Sequence, residues 1–484
     1  MNISKMSEIS RRNFLRRAGQ VSIMGAASAT ALGLLNTSQA AAFSAGGGYK
    51  ALVCIFLYGG MDHNSLLVPY DTANYDLYSA IRGGGDGRTA GGIAVGRDEL
   101  SATVLNPSGG QTLTNNIRYA LAPQMTRMRA RFNQGVMAPL LNVGPLVVPL
   151  TLQQYNSSNK VAFPRPAKLM SHNDQQSVWQ SSQPEGASIG WGGRASDLAL
   201  SANANTNALF TCISATGNSV FLSGNTAIPY QVSTNGAVSV RGVNNRIYRS
   251  DAASEALRTL MTEDSSHILE AEYNRVCRRS IGAADVFNEG LETGGLTTSF
   301  EGPEQNRLAD QLEVVAKTIA ARGALGSERQ VFMVSMGGFD VHNNLNNQMA
   351  GLLGQLDFAM DRFYQATVDM GVANQVTTFT ASDFGRTLAS NGDGSDHGWG
   401  GHHLVMGGAV NGGRFYGTAP QISLETEDQI GQGRLLPTTS VDQYAATLAS
   451  WFGVESFEIP GVAPNIGNFN AADLGFLNNG GGAT

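Results

Sequence analysis

The sequence predicts an α/β fold with a mostly parallel central sheet covered by helices on both faces. Three observations point there. Short apolar runs recur along the chain, and amphipathic helical patterns separate several of them. Four of the runs lead directly into polar motifs that carry Asp or His.

Ala51–Leu57 (ALVCIFL) is continuously apolar, as a strand buried on both faces should be, and it stops at Tyr58-Gly59-Gly60. Val136–Val143, Lys168–Met170, Leu209–Ile213, Val331–Met336, Val376–Ala381 and Leu404–Met406 read as further strands. Gln305–Arg322 places Leu308, Leu312, Val315 and Ile319 three and four residues apart, which is one face of a helix. Gln348–Val368 repeats the pattern with Leu352, Leu356, Ala359 and Phe363, and Val441–Phe452 gives a shorter helix. Residues 70–118, rich in Gly, Asp and Asn, and residues 214–250, polar with Gly-Asn turns, break the rhythm. Both read as loop or hairpin insertions on a single domain spanning 43–484.

Composition narrows the function. The 484 residues can bury a large core. Charged residues make up 14%, against roughly 25% in an average globular protein, while 42% are apolar and 59 are glycine. These values exclude a disordered acidic chain, a coiled coil and a basic nucleic-acid binder. Cys54, Cys212 and Cys277 are too few for a disulfide scaffold and too scattered for a zinc ribbon.

The first 42 residues read as a signal peptide. Ser10-Arg11-Arg12-Asn13-Phe14-Leu15 is a twin-arginine pattern, Val21–Leu35 is apolar, and Ser38-Gln39-Ala40 or Ala40-Ala41-Ala42 offers a cleavage site. An apolar stretch of about 15 residues is short for a membrane span, so no stable anchor is expected. The expectation is export by the twin-arginine translocation machinery to the periplasm or beyond. Cleavage would leave 27 basic and 37 acidic residues, a net charge of −10.

The chemistry lies where strands end. Six of the seven histidines fall in short polar motifs. The motifs are Gly59-Gly60-Met61-Asp62-His63-Asn64, Ser171-His172-Asn173-Asp174 and Gly337-Gly338-Phe339-Asp340-Val341-His342. Two more follow, Ser382-Asp383-Phe384-Gly385-Arg386-Thr387 and Asp396-His397-Gly398-Trp399-Gly400-Gly401-His402-His403. In an open α/β sheet the ligand crevice lies at the carboxyl ends of the strands, so motifs far apart in sequence can meet there. Asp with neutral His makes an oxygen-and-imidazole donor set, which suits Zn²⁺ or Mn²⁺ better than a soft thiolate metal. Taken singly, each motif also has a plain reading. Gly-Gly-x-Asp makes a turn, Asp383 can cap one, and a His in a Gly-rich loop can simply be solvated. His267, within an acidic helical stretch, reads as a surface residue.

Together the leader, GGMDHN, SHNDQQSVWQ, GGFDVH, SDFGRT and DHGWGGHHLVMGGAVNGGRFYG resemble the exported family of unknown function DUF1501, in order through nearly the whole chain after the leader. That family is similar in fold to the alkaline phosphatase and sulfatase superfamily. The resemblance implies a three-layer alkaline phosphatase-like fold and a divalent metal, Zn or Mn rather than Mg or Ca. It implies metal ligands at Asp62, Asp340, His342, Asp383, His397 and His402. It also places a nucleophile region at Ser171 and His172. Arg386, three residues beyond Asp383, reads either as a donor to a phosphate or sulfate oxygen, whose geometry its fork suits, or as one half of a structural salt bridge. The spacing of Asp340 and His342 is shorter than in that superfamily, Phe384 stands where its Asp-His pair has His, and no Cys/Ser-x-Pro-x-Arg context occurs. The expected activity is metal-dependent hydrolysis of an anionic ester, small or polysaccharide-borne. An exported metal-binding or structural protein with a degenerate site is the alternative. A redox enzyme is a third, but the chain has no nucleotide-binding Gly fingerprint, cysteine cluster or haem motif.

Overall fold

The computed structural model describes residues 43–44, 46, 48–83, 92–238, 240, 242–243 and 246–478. The expected leader lies outside the described residues. Eleven strands are described: β1 (Lys50–Leu57), β2 (Leu67–Pro69), β3 (Tyr119–Leu121), β4 (Met137–Gly144), β5 (Cys212–Ser214), β6 (Tyr230–Ser233), β7 (Gly236–Ala237), β8 (Arg329–Met336), β9 (Val376–Ser382), β10 (Gly401–Met406) and β11 (Thr439–Ser440). Nine of them form one sheet in the order β11-β4-β10-β9-β1-β8-β5-β6-β7. β1 runs parallel to β8 and β9, and β5 is parallel to β8 and β6. β10 runs antiparallel to both its neighbours, β9 and β4. β2 and β3 make a separate antiparallel pair.

The central strand explains why ALVCIFL carries no polar alternation. Ala51, Val53, Ile55 and Leu57 enter one apolar core, with the helices Arg307–Ala320 and Leu345–Asp369. Leu52, Cys54 and Phe56 enter a second core, with the helices Trp191–Ser201 and Val441–Phe452. The sheet therefore sits between two helical layers. Each fully buried Leu, Ile, Val or Phe contributes about 2 kcal/mol.

Helix boundaries follow the capping chemistry. Arg307–Ala320 starts where the Asn306 carboxamide accepts the Leu308 and Ala309 N–H groups. Val441–Phe452 starts at a capping box made by Ser440 and Gln443. Two predicted strands need correction. Residues 168–170 form no strand: Lys168 and Met170 take φ of 43° and 69°, and Leu169 between them packs on a small apolar cluster around Trp399. β5 begins only at Cys212, because the Asn207 side chain caps a 3₁₀ turn at Ala208–Phe210. Within residues 70–118 lie the helix Thr72–Ile81, three 3₁₀ turns and the strand β2 partner β3 begins just after them. Within 214–250, β6 and β7 extend one edge of the main sheet. Among the described residues no helix is long and apolar enough to cross a membrane.

Candidate metal centre

β8 and β9 flank β1, and all three end on the same side of the molecule. Asp340 follows β8 through Gly337-Gly338, and Asp383 directly follows β9. The turn after β1 must pass close to both. Gly59 takes φ of 116°, and a Cβ there would lie 2.4 Å from the Asp340 backbone nitrogen. Its own N–H donates to Asp383 Oδ1 at 3.2 Å. Gly60 likewise leaves room for the Phe384 ring, which a Cβ would meet at 2.3 Å.

Three histidines gather on Asp340. His342 Nε2 lies 3.0 Å and His397 Nε2 3.1 Å from Asp340 Oδ1, and His172 Nε2 lies 3.6 Å from Oδ2. The two imidazole nitrogens of His342 and His397 face each other at 3.3 Å. His172, Asp340 and His397 offer ligand atoms all within 4.8 Å of one another. The three residues come from the start of the helix His172–Ser181, from the end of β8 and from the loop before β10. Phe384 packs on the rings of His172 and His397, at 4.8 and 4.6 Å, and walls one side.

The opposite ring nitrogens decide the chemistry. His172 Nδ1 lies 2.6 Å from Asp383 Oδ2, His342 Nδ1 3.3 Å from Asp396 Oδ1, and His397 Nδ1 3.0 Å from the Met170 carbonyl. Each Nδ1 thus faces an oxygen acceptor; with the proton on Nδ1, each Nε2 would turn its lone pair towards the Asp340 carboxylate. In that tautomer the lone pairs and the carboxylate would repel one another without a cation or a proton among them, and the Arg386 guanidinium already donates to the carboxylate from beneath. The outer oxygens fix tautomer and ring orientation, as in carboxylate–histidine–metal triads. The left-handed Met170, unexpected for a non-glycine residue, presents its carbonyl to His397.

Charges follow the same geometry. Burial works against the Asp340 carboxylate, but the Arg386 guanidinium outweighs it and holds its pKa at about 2. The hydrogen bond to Asp383 raises the His172 pKa, whereas burial lowers that of His397.

Not every expected residue joins this centre. His172, placed with the nucleophile region by resemblance, stands with the metal-ligand candidates. Asp383 stands behind His172, where it also accepts from Gln176 Nε2 at 2.9 Å. Ser171 Oγ donates to Asp174 at 2.9 Å. Arg386 is buried and donates to the carbonyls of Gly59, Gly60 and Ser395 as well as to Asp340, so it braces the site from beneath. Asp62 is buried against Arg82 at 2.7 Å and also accepts from Ser395 Oγ at 3.2 Å. His402 lies in the interior, where its Nδ1 accepts the Asn142 N–H at 3.0 Å and its ring meets that of His63. Trp399 and Trp191 are buried core residues. Asp396, beside His397 in sequence, carries no role there that its residue type marks, and in the structure it fixes His342 instead.

The interior histidines have a consequence for stability. Burial depresses the pKa of His63 to about 4 and of His403 to about 3. Both are neutral when folded and regain a pKa near 6.5 when unfolded. Their contribution is therefore complete above about pH 6.5 and is lost as pH falls towards 4. Moving from pH 7 to pH 5 should cost on the order of 2 kcal/mol per histidine. Burial also holds His402 well below its usual pKa, so urea unfolding at both pH values tests three interior rings, and His403→Gln should remove about a third of the difference. An unfolding free energy indifferent to pH in this window would show that these rings are not held neutral.

These motifs and their order carry a family signature, and one finding decides it. The sequence description "Protein of unknown function (DUF1501)" matches residues 49–442, which contain every residue of the centre. The chain belongs to the DUF1501 family. No curated protein matches the chain. Among solved structures, it is similar to Ps i-CgsB in complex with k-i-k-neocarrahexaose, with 7% identity and a TM-score of 0.35 over 88% of this chain and 77% of that one. It is also similar to the lipoteichoic acid synthase LtaP from Listeria monocytogenes, with 7% identity and a TM-score of 0.31 over 86% and 74%. A third likeness is to the Bacteroides thetaiotaomicron protein BT33494S-sulf, with 9% identity and a TM-score of 0.34 over 90% and 78%. At this divergence no residue role transfers from them.

Proposed function

We propose that this DUF1501 protein is exported by the twin-arginine machinery and hydrolyses anionic esters, sulfate or phosphate, with a divalent metal. One observation carries the reading: three imidazole Nε2 atoms, each with its Nδ1 facing an oxygen, converge on one carboxylate. His172, His342, His397 and Asp340 would hold the ion, and three nitrogens with one oxygen suit zinc or manganese. When bound, such a cation supplies Lewis acidity towards an ester oxygen and lowers the pKa of water. The chain does the rest. Asp383, Asp396 and the Met170 carbonyl fix the imidazoles, Arg386 holds Asp340 ionised, and Phe384 keeps water from one flank. Ser171 is committed to Asp174, so water rather than serine is the attacking group in this reading. The ester class rests on the motif resemblance to the phosphatase and sulfatase superfamily.

The test is metal analysis of the purified protein followed by hydrolysis of nitrophenyl phosphate and nitrophenyl sulfate. Zinc or manganese should be present, chelation should abolish turnover of one ester, and metal should restore it. Bound metal without turnover on either ester would favour the second reading, an exported metal-binding protein with a degenerate site. That reading draws on Arg386, already paired with Asp340, and on Phe384, which fills the place of a histidine.

A further inference from the structure

The helix Ile268–Thr293 carries an apolar seam that the fold covers only in part. Leu269, Tyr273 and Val276, then Ala283 and Phe287, are spaced four and three residues apart, with the exposed Ser280 standing at the one polar step between the two halves. In the second half the seam is docked: Ala283 and Phe287 are buried in the core cluster. In the first half it stands free, with Leu269 74%, Tyr273 58% and Val276 42% exposed and Ile268 beside them at 81%. Leu260, on the neighbouring helix Asp251–Thr262, adds 61% exposure to the same hairpin. Scattered exposed apolar residues are ordinary, but a regular seam of them on one helix marks a helix-binding surface.

The charges beside the seam choose the partner. Glu272 and Arg279 are seven residues apart and so occupy the same edge of the seam. If two copies of this helix cross antiparallel with Tyr273 layered on Val276, Glu272 of one copy comes beside Arg279 of the other, twice by symmetry. A parallel crossing would set Glu272 beside Cys277, which is buried and offers no cationic group. Glu272 now pairs with Arg275 of its own helix at 2.8 Å, an exposed bridge that costs little to exchange.

We infer that the protein forms a two-fold symmetric dimer through the free half of this seam, the two helices packing antiparallel. Sedimentation equilibrium across the micromolar range should give a dimer mass. Tyr273→Glu, at an exposed site that leaves the fold intact, should weaken the dimer by about a hundredfold, as loss of a central aromatic anchor does. Glu272→Arg and Arg279→Glu should each weaken it by about tenfold, and the two together should restore it. A chain that stays monomeric throughout overturns the proposal. So does a dimer that survives Tyr273→Glu with unchanged circular dichroism. Monomers that bind phosphatidylglycerol vesicles through Tyr273 would assign the seam to lipid and overturn it equally.

Discussion

Asp340→Ala is expected to abolish metal occupancy while leaving the fold in place. Asp340 is the one carboxylate towards which all three Nε2 atoms turn. Without it three neutral imidazoles remain, and the Arg386 guanidinium, no longer neutralised, faces the site. Removing outer partners of metal-bound histidines already costs about 10–100-fold in affinity, so loss of the central carboxylate should exceed that range. Stability should fall by about 1–3 kcal/mol, because Arg386 is buried and loses its counter-charge, although Asp340 is half-exposed and Arg386 keeps its three carbonyl partners. The readout is thermal unfolding with and without added zinc. A ligand at a hundred times its dissociation constant stabilises a protein by about 2.7 kcal/mol. The wild-type chain should show a rise of that order, and Asp340→Ala and His397→Ala should not. His267→Ala should behave as wild type, since His267 is exposed at the start of the helix Ile268–Thr293. An equal response in all the variants would remove the proposed ligand set.

How much of this was legible in the sequence depends on which physics each residue obeys. The fold was legible because burial writes itself into composition. β1 is apolar throughout because both its faces are covered, and the helix Arg307–Ala320 shows its stripe because one face is. Lys168–Met170 misled, since Leu-Met after a Lys reads as a strand when left-handed backbone at non-glycine residues leaves no mark in composition. At the site, the convergence of the strand-end motifs could be anticipated, but the direction of each side chain could not. Asp62 and Asp340 both follow Gly-Gly-x at a strand end, and only packing tells them apart. Asp340 faces solvent and imidazoles, whereas Asp62 turns inward to Arg82, which lies on a different loop twenty residues away. His402 and His403 precede an apolar run, and both are carried into the interior as part of β10. The role of Met170 rests on a backbone carbonyl, and no residue type announces that.

The inward turn of Asp62 makes the largest stability prediction. Arg82 is fully buried, and Asp62 at 2.7 Å is the carboxylate that neutralises it. Burial alone would raise the Asp62 pKa, but Arg82 outweighs it and the pKa is lowered, so the pair is ionised at neutral pH. The same carboxylate accepts the Asn64 N–H at the start of the short helix His63–Leu66 and the Ser395 hydroxyl. Asp62→Ala leaves a guanidinium with no counter-charge in a dry interior, and breaking a buried pair from one side typically costs about 3–5 kcal/mol. Removing both charges is a different matter, because well-packed apolar residues of similar volume often replace a buried pair without loss. Asp62→Leu combined with Arg82→Met should therefore recover most of the stability that Asp62→Ala forfeits. Denaturant unfolding of the three proteins measures this, and zinc titration of each adds the functional control. All should bind metal like the wild type, since Asp62 stands apart from the three imidazoles. A variant that unfolds normally but no longer binds zinc would return Asp62 to the ligand set and show that the centre reaches deeper beneath Arg386 than the side-chain directions indicate.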